Sequence, residues 1–279
     1  MTSSNKDFLL GIVIPLKSRM VSNSWHDVTD ALSKTLRSIL NQTNKQVKTI
    51  VVCHEVPGIP LESIESIQFI SVNQFPPPNI KGLERKQRQL LYEKDRTQKI
   101  NIGVKALIEQ NCTHIFSLDA DDLIHQDFTQ IIKNNAHAQA VLLKRGYLNF
   151  QQYNVINHTD NFDVFCGSCC VMNASSVYLQ RDNKEYTIFE WYSHPNYEQS
   201  FKMLGINYFI PEEYIVMYMR EHGENISADD DALPTPSLSL SWREIKCIIS
   251  RITYIAKRYL LAKFRSLSVP KNINSRFGL

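Results

Sequence analysis

The pattern of hydrophobic and polar residues over the first 120 positions predicts strands and helices in alternation. Short apolar runs rich in β-branched residues predict strands at residues 9–15, 47–53, 67–72 and 114–118. Apolar residues at helical spacing predict a helix at residues 25–41, and a proline-rich loop precedes either one long charged helix or two shorter ones at residues 83–110. This alternation is typical of crossover connections between parallel strands. The sequence therefore predicts an α/β fold with a mostly parallel central sheet flanked by helices.

The sequence Asp119-Ala120-Asp121-Asp122 directly follows the fourth predicted strand. Three carboxylates this close together repel one another, and a divalent cation relieves that repulsion. Asp119 and Asp121 can both reach one ion, and Mg²⁺ or Mn²⁺ keeps coordination positions open for substrate phosphates. The same residues also suit an acidic turn that caps the N-terminus of a helix. Because ligands of open parallel sheets bind at the carboxyl ends of strands, we expect the tetrad to border a crevice.

Length and composition are typical of a globular protein with one large domain. The chain has 279 residues, of which 43% are hydrophobic, and no apolar stretch approaches the roughly 20 residues that a membrane-spanning helix needs. No signal peptide is expected, because the first apolar run is short and reads as a strand. The six cysteines include no pair of CxxC motifs, which favours buried thiols in a reducing cytoplasm over a redox or zinc site.

The net charge of +3 conceals two parts of opposite charge. Residues 241–279 carry a net charge of +8, whereas residues 1–240 carry −5. Apolar residues at helical spacing with Lys and Arg between them predict a basic amphipathic C-terminal helix and tail at 241–279. A linker loop at 228–240 would separate it from a main domain at 1–227. Such a helix either lies against an anionic membrane or packs its apolar face on the main domain.

Several motifs resemble, in the same order, those of family 2 glycosyltransferases. They are residues 12–15, 36–43, 50–52, 101–103, 116–122 and the closing Tyr218-x-Arg220-x-His222. The resemblance spans about residues 9–227. It implies a GT-A fold, a divalent cation such as Mn²⁺ or Mg²⁺, and a nucleotide-sugar donor, with a uridine diphosphate sugar favoured. It also implies transfer with inversion to a hydroxyl of a glycan or lipid-linked acceptor. Such an enzyme would serve surface polysaccharide synthesis at the inner face of the plasma membrane, and no nucleic-acid partner is expected.

The resemblance also implies roles for individual residues. The metal ligands that it implies are Asp119, Asp121, Asp122 and His222. The residues expected to contact the donor are Pro15, Lys17, Arg19, Glu55, Asp95, Lys99, Asp119, Gly167 and Ser168. The last two belong to a small-residue run at 165–172 that resembles the strand lying against the transferring sugar. A tight strand crossing in the core would demand the same small residues.

Inverting transfer requires a general base, which in the family is usually the Asp of a Glu-Asp pair that opens a helix. No such pair opens the corresponding predicted helix at 196–204. We rank the titratable residues within reach in the order His194, Glu190 and Glu198. His194 comes first because an imidazole titrates near neutral pH. Capping of the helix, or stacking of nearby aromatic residues on a sugar ring, is an alternative role for this segment.

Two other functions remain open from the sequence. A catalytically silent protein that binds nucleotide sugars or glycans would keep the donor pocket and lack the base. A sugar-phosphate nucleotidyltransferase also uses acidic metal ligands on a parallel sheet. Its phosphate loop is normally rich in glycine, however, and residues 18–22 contain none.

Overall fold

The computed structural model describes residues 7–60, 66–151, 154–191, 194–220, 269–270 and 272–279. The predicted linker at 228–240, most of the predicted basic helix at 241–279 and His222 lie outside the described residues. Within the described ranges, no helix is both long enough and apolar enough to cross a membrane.

The described residues form thirteen strands and seven α-helices. The strands are β1 (Leu10–Pro15), β2 (Val47–Cys53), β3 (Ile67–Ser71), β4 (His114–Ser117), β5 (Leu123–Ile124), β6 (Ala140–Leu142), β7 (Gly146–Phe150), β8 (Val155–Thr159), β9 (Cys170–Asn173), β10 (Tyr178–Arg181), β11 (Lys184–Thr187), β12 (Tyr208–Phe209) and β13 (Val216–Arg220). The helices are α1 (Trp25–Leu40), α2 (Arg85–Glu109), α3 (Phe128–Asn134), α4 (Phe162–Phe165), α5 (Ile188–Trp191), α6 (Tyr197–Leu204) and α7 (Ile273–Arg276). Short 3₁₀ turns lie at Arg19–Val21, Ala174–Ser176 and His194–Asn196.

In the described part of the chain, seven strands form the central sheet, in the order β12-β6-β9-β4-β1-β2-β3. β1 pairs in parallel with β2 and β4, β2 pairs in parallel with β3, and β12 does so with β6. β9 runs antiparallel to both of its neighbours. The predicted α/β fold with a mostly parallel sheet is therefore confirmed. A second sheet has the order β5-β13-β7-β8, and β10 and β11 form a hairpin.

Apolar faces of the helices and strands form the main core. α1 is capped by Ser24, whose hydroxyl accepts the Asp27 N–H at 3.2 Å, and the helix packs a row of apolar residues into the core. α2 packs directly on β1, since a Cβ on Gly103 would lie 2.2 Å from Val13 Cγ2. Only glycine allows this approach without a shift of the helix. The prediction of buried thiols is confirmed for the described cysteines, Cys53, Cys112, Cys166, Cys169 and Cys170.

The predicted strand at 165–172 begins only at Cys170. α4 ends at Phe165, and residues 166–169 connect it to β9. The helical turn forms because Phe162 is buried against Gly146, where a Cβ would lie 2.2 Å from the Phe162 ring. The Cys166 N–H then donates to the Phe162 carbonyl at 3.0 Å.

The last eight residues, 272–279, pack against the second sheet. Ile273 and Phe277 are buried in a small apolar cluster with residues of β5, β7 and β13. The Gln126 N–H donates to the Arg276 carbonyl at 2.8 Å. The end of the segment predicted as a basic tail therefore belongs to the same body as the main domain, because its apolar residues complete a core.

Candidate active site

A pocket of about 420 Å³ lies at the carboxyl ends of β1 and β4, where the sequence predicts a crevice. Predicted site residues that line the pocket are Pro15, Lys17, Asp95, Lys99, Asp119, Asp121, Gly167 and His194. Other lining residues come from the N-terminal half of α2, from Phe165 of α4 and from Tyr218 of β13. The structure thus brings the first three residues of the acidic tetrad, several cationic residues and one candidate base to a single pocket.

Asp119 is held by an ion pair with Arg96 of α2. The Arg96 Nε and Nη2 atoms lie 2.9 Å and 2.7 Å from Asp119 Oδ1. Gly167 lies against this pair, since a Cβ there would stand 2.9 Å from Arg96 Nη2 and 3.3 Å from Asp119 Oδ2. The small residue therefore leaves room for the pair at the pocket wall. Both charged side chains are 30% exposed, so solvent and ligands reach them.

Asp122 faces the opposite way, into the protein. Its carboxylate accepts hydrogen bonds from the Ser168 hydroxyl at 2.6 Å, the Cys166 thiol at 3.0 Å and the Met219 N–H at 3.2 Å. The Ser168 hydroxyl also accepts the Asp119 N–H at 2.9 Å, which ties the turn together. Burial raises the pKa of Asp122 well above its ordinary value, and the charges of the two neighbouring aspartates raise it further.

The structure therefore does not bring Asp122 or Ser168 to the pocket. Both side chains are fully buried. The sequence predicts Asp122 as a metal ligand and Ser168 as a donor contact. In the structure, their hydrogen bonds stabilise the acidic turn instead. We therefore assign both residues to stabilising the turn, because both side chains are fully buried and are hydrogen-bonded to each other.

Asp119 and Asp121 remain as oxygen donors for a cation. Proteins commonly hold Mg²⁺ with one or two carboxylates together with substrate phosphates, so this pair fits the predicted Mg²⁺ or Mn²⁺. Among the residues that the structure describes, no group of three or more His, Cys, Asp and Glu side chains has metal-binding geometry. The metal contact predicted for His222 lies outside the described residues.

Lys99 and Asp95 form a buried ionic network beside the end of β1. Lys99 Nζ donates to Asp95 Oδ2 at 2.6 Å and to the Leu16 carbonyl at 2.8 Å. The other carboxylate oxygen of Asp95 contacts His54 Nε2 at 2.8 Å. Burial lowers the pKa of Lys99, and the nearby Asp95 charge offsets part of that effect. The network fixes α2 to the loop after β1, at the pocket wall.

One face of α2 carries pocket residues that the sequence interpretation left out of the site. They occur three or four positions apart and are Arg85, Gln89 and Tyr92. The same face continues into the core as the apolar residues Ile100, Val104 and Leu107. The signal that would have found them is the presence of polar residues on the same helical stripe as buried apolar ones, because that stripe faces the inside of the protein.

Besides Ser168, two residues predicted to contact the donor lie outside the pocket lining. Glu55 accepts the Ser18 hydroxyl at 3.0 Å and the Arg19 N–H at 3.1 Å. Its carboxylate thus joins the loops that follow β1 and β2, and the side chain of Arg19 is not part of the lining. By contrast, Lys17 lines the pocket, with its ammonium 5.6 Å from the centroid of the Tyr92 ring.

His194 is the candidate base that lines the pocket. Its Nδ1 atom lies 2.6 Å from the backbone carbonyl of Asp163. A carbonyl oxygen only accepts hydrogen bonds, so Nδ1 carries the proton in this contact. In a neutral ring, Nε2 is then the nitrogen with a lone pair.

The other two candidate bases have partners outside the pocket lining. Glu190 is exposed and accepts the Asn101 amide at 3.0 Å. Glu198 accepts Lys144 at 2.6 Å and Lys202 at 2.8 Å. The hydrogen bond from Lys144, followed by that from Lys202, lowers the pKa of Glu198 to about 2. A carboxylate with this pKa binds protons weakly, so the geometry favours His194 over both glutamates.

No family model matches the chain, and no curated protein matches it. Among solved structures, the chain is similar to the S. aureus protein TarS. The crystal structure of TarS 1–349 in complex with UDP has 11% identity and a TM-score of 0.44, over 76% of this chain and 60% of that chain. A second TarS structure has 12% identity and a TM-score of 0.46, over 76% and 37% of the two chains. A further structure of TarS 1–349 has 12% identity and a TM-score of 0.43, over 96% and 74%.

The chain thus spans less than two thirds of the length of the first two TarS structures. With TM-scores below 0.5, all three are distant likenesses.

Proposed function

We propose that the protein is a metal-dependent inverting glycosyltransferase with a GT-A fold. It would transfer a sugar from a uridine diphosphate donor to a hydroxyl of a glycan or lipid-linked acceptor. The observation that carries the proposal is a single pocket that contains an acidic turn, cationic residues and a histidine with an oriented ring. The first two suit a nucleoside diphosphate with its cation, and the third suits a hydroxyl that must lose a proton.

The donor would lie between the acidic turn and α2. Asp119 and Asp121 would hold Mg²⁺ or Mn²⁺, which when bound stabilises the negative charge on a departing diphosphate. Lys17 and Arg96 line the same pocket and supply positive charge to the phosphates. Tyr92 and Pro15 line the same pocket, and Tyr92 would offer an aromatic face to the nucleobase. Gly167, next to the Arg96–Asp119 pair, would let the sugar approach the backbone.

In the proposed reaction, His194 Nε2 takes the proton of the acceptor hydroxyl while the hydroxyl oxygen attacks the anomeric carbon of the donor sugar. The bond between that carbon and the phosphate oxygen breaks, and its electron pair leaves with uridine diphosphate. Attack from the side opposite the diphosphate inverts the configuration. Nε2 is the accepting nitrogen because Nδ1 donates to the Asp163 carbonyl at 2.6 Å.

We further propose a role in surface polysaccharide synthesis at the inner face of the plasma membrane. The support is the net charge of +8 on residues 241–279 together with their amphipathic pattern. Cosedimentation of the full chain with anionic and with neutral vesicles tests this part. Selective binding to the anionic vesicles is expected. Equal recovery of the protein in the supernatant with both kinds of vesicle would contradict the membrane part of the proposal.

Release of uridine diphosphate from uridine diphosphate sugars, with Mn²⁺ and a panel of glycan acceptors, tests the activity itself. We expect acceptor-dependent release and a product of inverted configuration by NMR. Asp121→Asn should abolish donor binding, whereas His194→Gln should bind the donor and fail to transfer. A wild-type protein that binds the donor but never turns it over would instead be a catalytically silent binding protein.

A further inference from the structure

Asp163 is a buried acidic residue directly beside the candidate base. It lies in α4, is 5% exposed, and gives its backbone carbonyl to His194 Nδ1. In the described part of the chain, its Oδ1 atom is buried and has no hydrogen-bond partner. Burying a carboxylate oxygen without a hydrogen-bond donor costs folding free energy, so the position of this atom calls for an explanation.

The position of Asp163 is fixed by the packing of α4. Phe162 is fully buried, and its N–H donates to the Lys144 carbonyl at 2.8 Å. A Cβ on Gly146 would lie 2.2 Å from the Phe162 ring, so the helix has no room to shift there. The next residue, Asp163, is therefore held in place. The carbonyl that orients His194 belongs to a rigid turn.

The charges around Asp163 come from three elements. They are Lys144 in the β6–β7 connection, Glu198 in α6 and His194 in the 3₁₀ turn. Burial raises the pKa of the Asp163 carboxyl, and the Lys144 and His194 charges act in the opposite direction. Glu198 is already bonded to Lys144 and Lys202. Further away, Arg96, Asp119 and Asp121 line the pocket that His194 faces.

We infer that Asp163 is a positioning residue for His194: its carbonyl fixes the ring with Nδ1 protonated, and its buried carboxylate stabilises the imidazolium. The imidazolium forms when Nε2 takes the acceptor proton, so a fixed negative charge beside the ring favours that transfer. The inference rests on the proposed function, in which His194 is the base. This role would explain why the Oδ1 atom of Asp163 is buried without a hydrogen-bond partner, which packing alone does not explain.

NMR of the full chain labelled with ¹⁵N-histidine tests the inference without donor or acceptor. His194→Gln identifies the His194 signals among those of the eight histidines. In the wild-type protein we expect the neutral ring to carry its proton on Nδ1. This measurement needs no variant of Asp163, so it stands even if such a variant folds poorly.

A pH titration of the same signals then compares Asp163→Asn with Asp160→Asn. Asp160 is a matched control because it is exposed and is bonded to Tyr214 instead. Removal of the Asp163 charge should lower the midpoint of the His194 titration by about 0.5–1 pH unit, and removal of the Asp160 charge should leave it nearly unchanged.

A wild-type ring protonated on Nε2, or equal midpoints in the wild-type and Asp163→Asn proteins, would overturn the inference. Failure of the proposed function shows itself separately, as absence of donor turnover in a protein whose His194 still responds to Asp163.

Discussion

The two sides of the pocket are built in different ways. The proposed donor side consists of the acidic turn at residues 119–122 and α2, a helix of 25 residues. The proposed acceptor side consists of α4 with four residues and the 3₁₀ turn at His194–Asn196, which is followed by α6 with eight residues. Buried ionic and hydrogen-bonded networks hold the donor side, whereas one described hydrogen bond orients the His194 ring. The walls of the proposed donor site are thus fixed by the core, and the proposed base is fixed locally.

This contrast also exists within the acidic turn. Asp119 pairs with Arg96, Asp121 lines the pocket and Asp122 is fully buried. Three neighbouring carboxylates therefore have three different surroundings. We conclude that one of them shapes the turn so that the other two can face a ligand.

The largest effect is expected from a substitution on the proposed acceptor side, and it should appear only in the rate of sugar transfer. His194→Gln should lower the rate of sugar transfer by about 10²–10⁴-fold, because general base catalysis contributes that much. Donor affinity and the free energy of unfolding should stay close to wild-type values. Steady-state kinetics and calorimetry measure the two. A variant with wild-type turnover would exclude His194 as the base.

On the donor side, Lys99→Met should lower the free energy of unfolding by about 3–5 kcal/mol, because it leaves the buried Asp95 carboxylate without its ammonium partner. Urea denaturation measures this change. Lys105→Met on the exposed face of the same helix is the control, with an expected change below about 0.5 kcal/mol. Equal losses in the two variants would contradict a role for the buried network.

Adjacent carboxylates of the acidic turn should respond differently to removal. Asp122→Ala should cost about 2–3 kcal/mol of stability, because the donors Ser168, Cys166 and the Met219 N–H lose their acceptor. Asp121→Ala should cost less than about 0.5 kcal/mol and act on ligand binding alone. If the two variants unfold at the same urea concentration, Asp122 does not hold the turn.

The smallest effect concerns the Glu198 ion pairs. Hydrogen bonds from Lys144 and Lys202 lower the pKa of Glu198 in the folded protein to about 2, below its ordinary value of 4.5. The stabilisation is therefore present above about pH 4.5 and is lost as pH falls towards 2. Because Glu198 is 26% exposed, it should amount to less than about 1 kcal/mol.

Unfolding of Glu198→Gln at pH 7 and at pH 2 checks this prediction. The difference from wild type should shrink at the lower pH, and the rate of transfer should change little. A strong loss of transfer would return Glu198 to the list of candidate bases.

Sequence patterns predicted the secondary structure of residues 9–118 well. The four strands and two helical segments predicted over residues 9–118 match β1 to β4, α1 and α2 to within two residues at each end, and the second segment is one long helix. These elements are long and end at clear turn residues, so periodicity decides their type. The acidic turn followed from its charge density alone.

The remainder depended on contacts that no local pattern records. Burial of Phe162 against Gly146 turns residues 162–165 into a helix, and Asp122 points inward because Ser168 and Cys166 meet it there. The return of residues 272–279 to the second sheet likewise depends on a core formed by distant strands. Partners far away along the chain decide each of these features.

The central claim is that the acidic turn binds a cation together with a nucleoside diphosphate. Calorimetric titration of uridine diphosphate with Mn²⁺, with Mg²⁺ and with a chelator tests it most directly. Asp121→Ala is the test variant, and Asp182→Ala on the exposed β10–β11 hairpin is the control. We predict binding that needs a cation, is lost in Asp121→Ala and persists in Asp182→Ala. Binding that survives the chelator and Asp121→Ala, or no binding in the wild-type protein, would contradict the account.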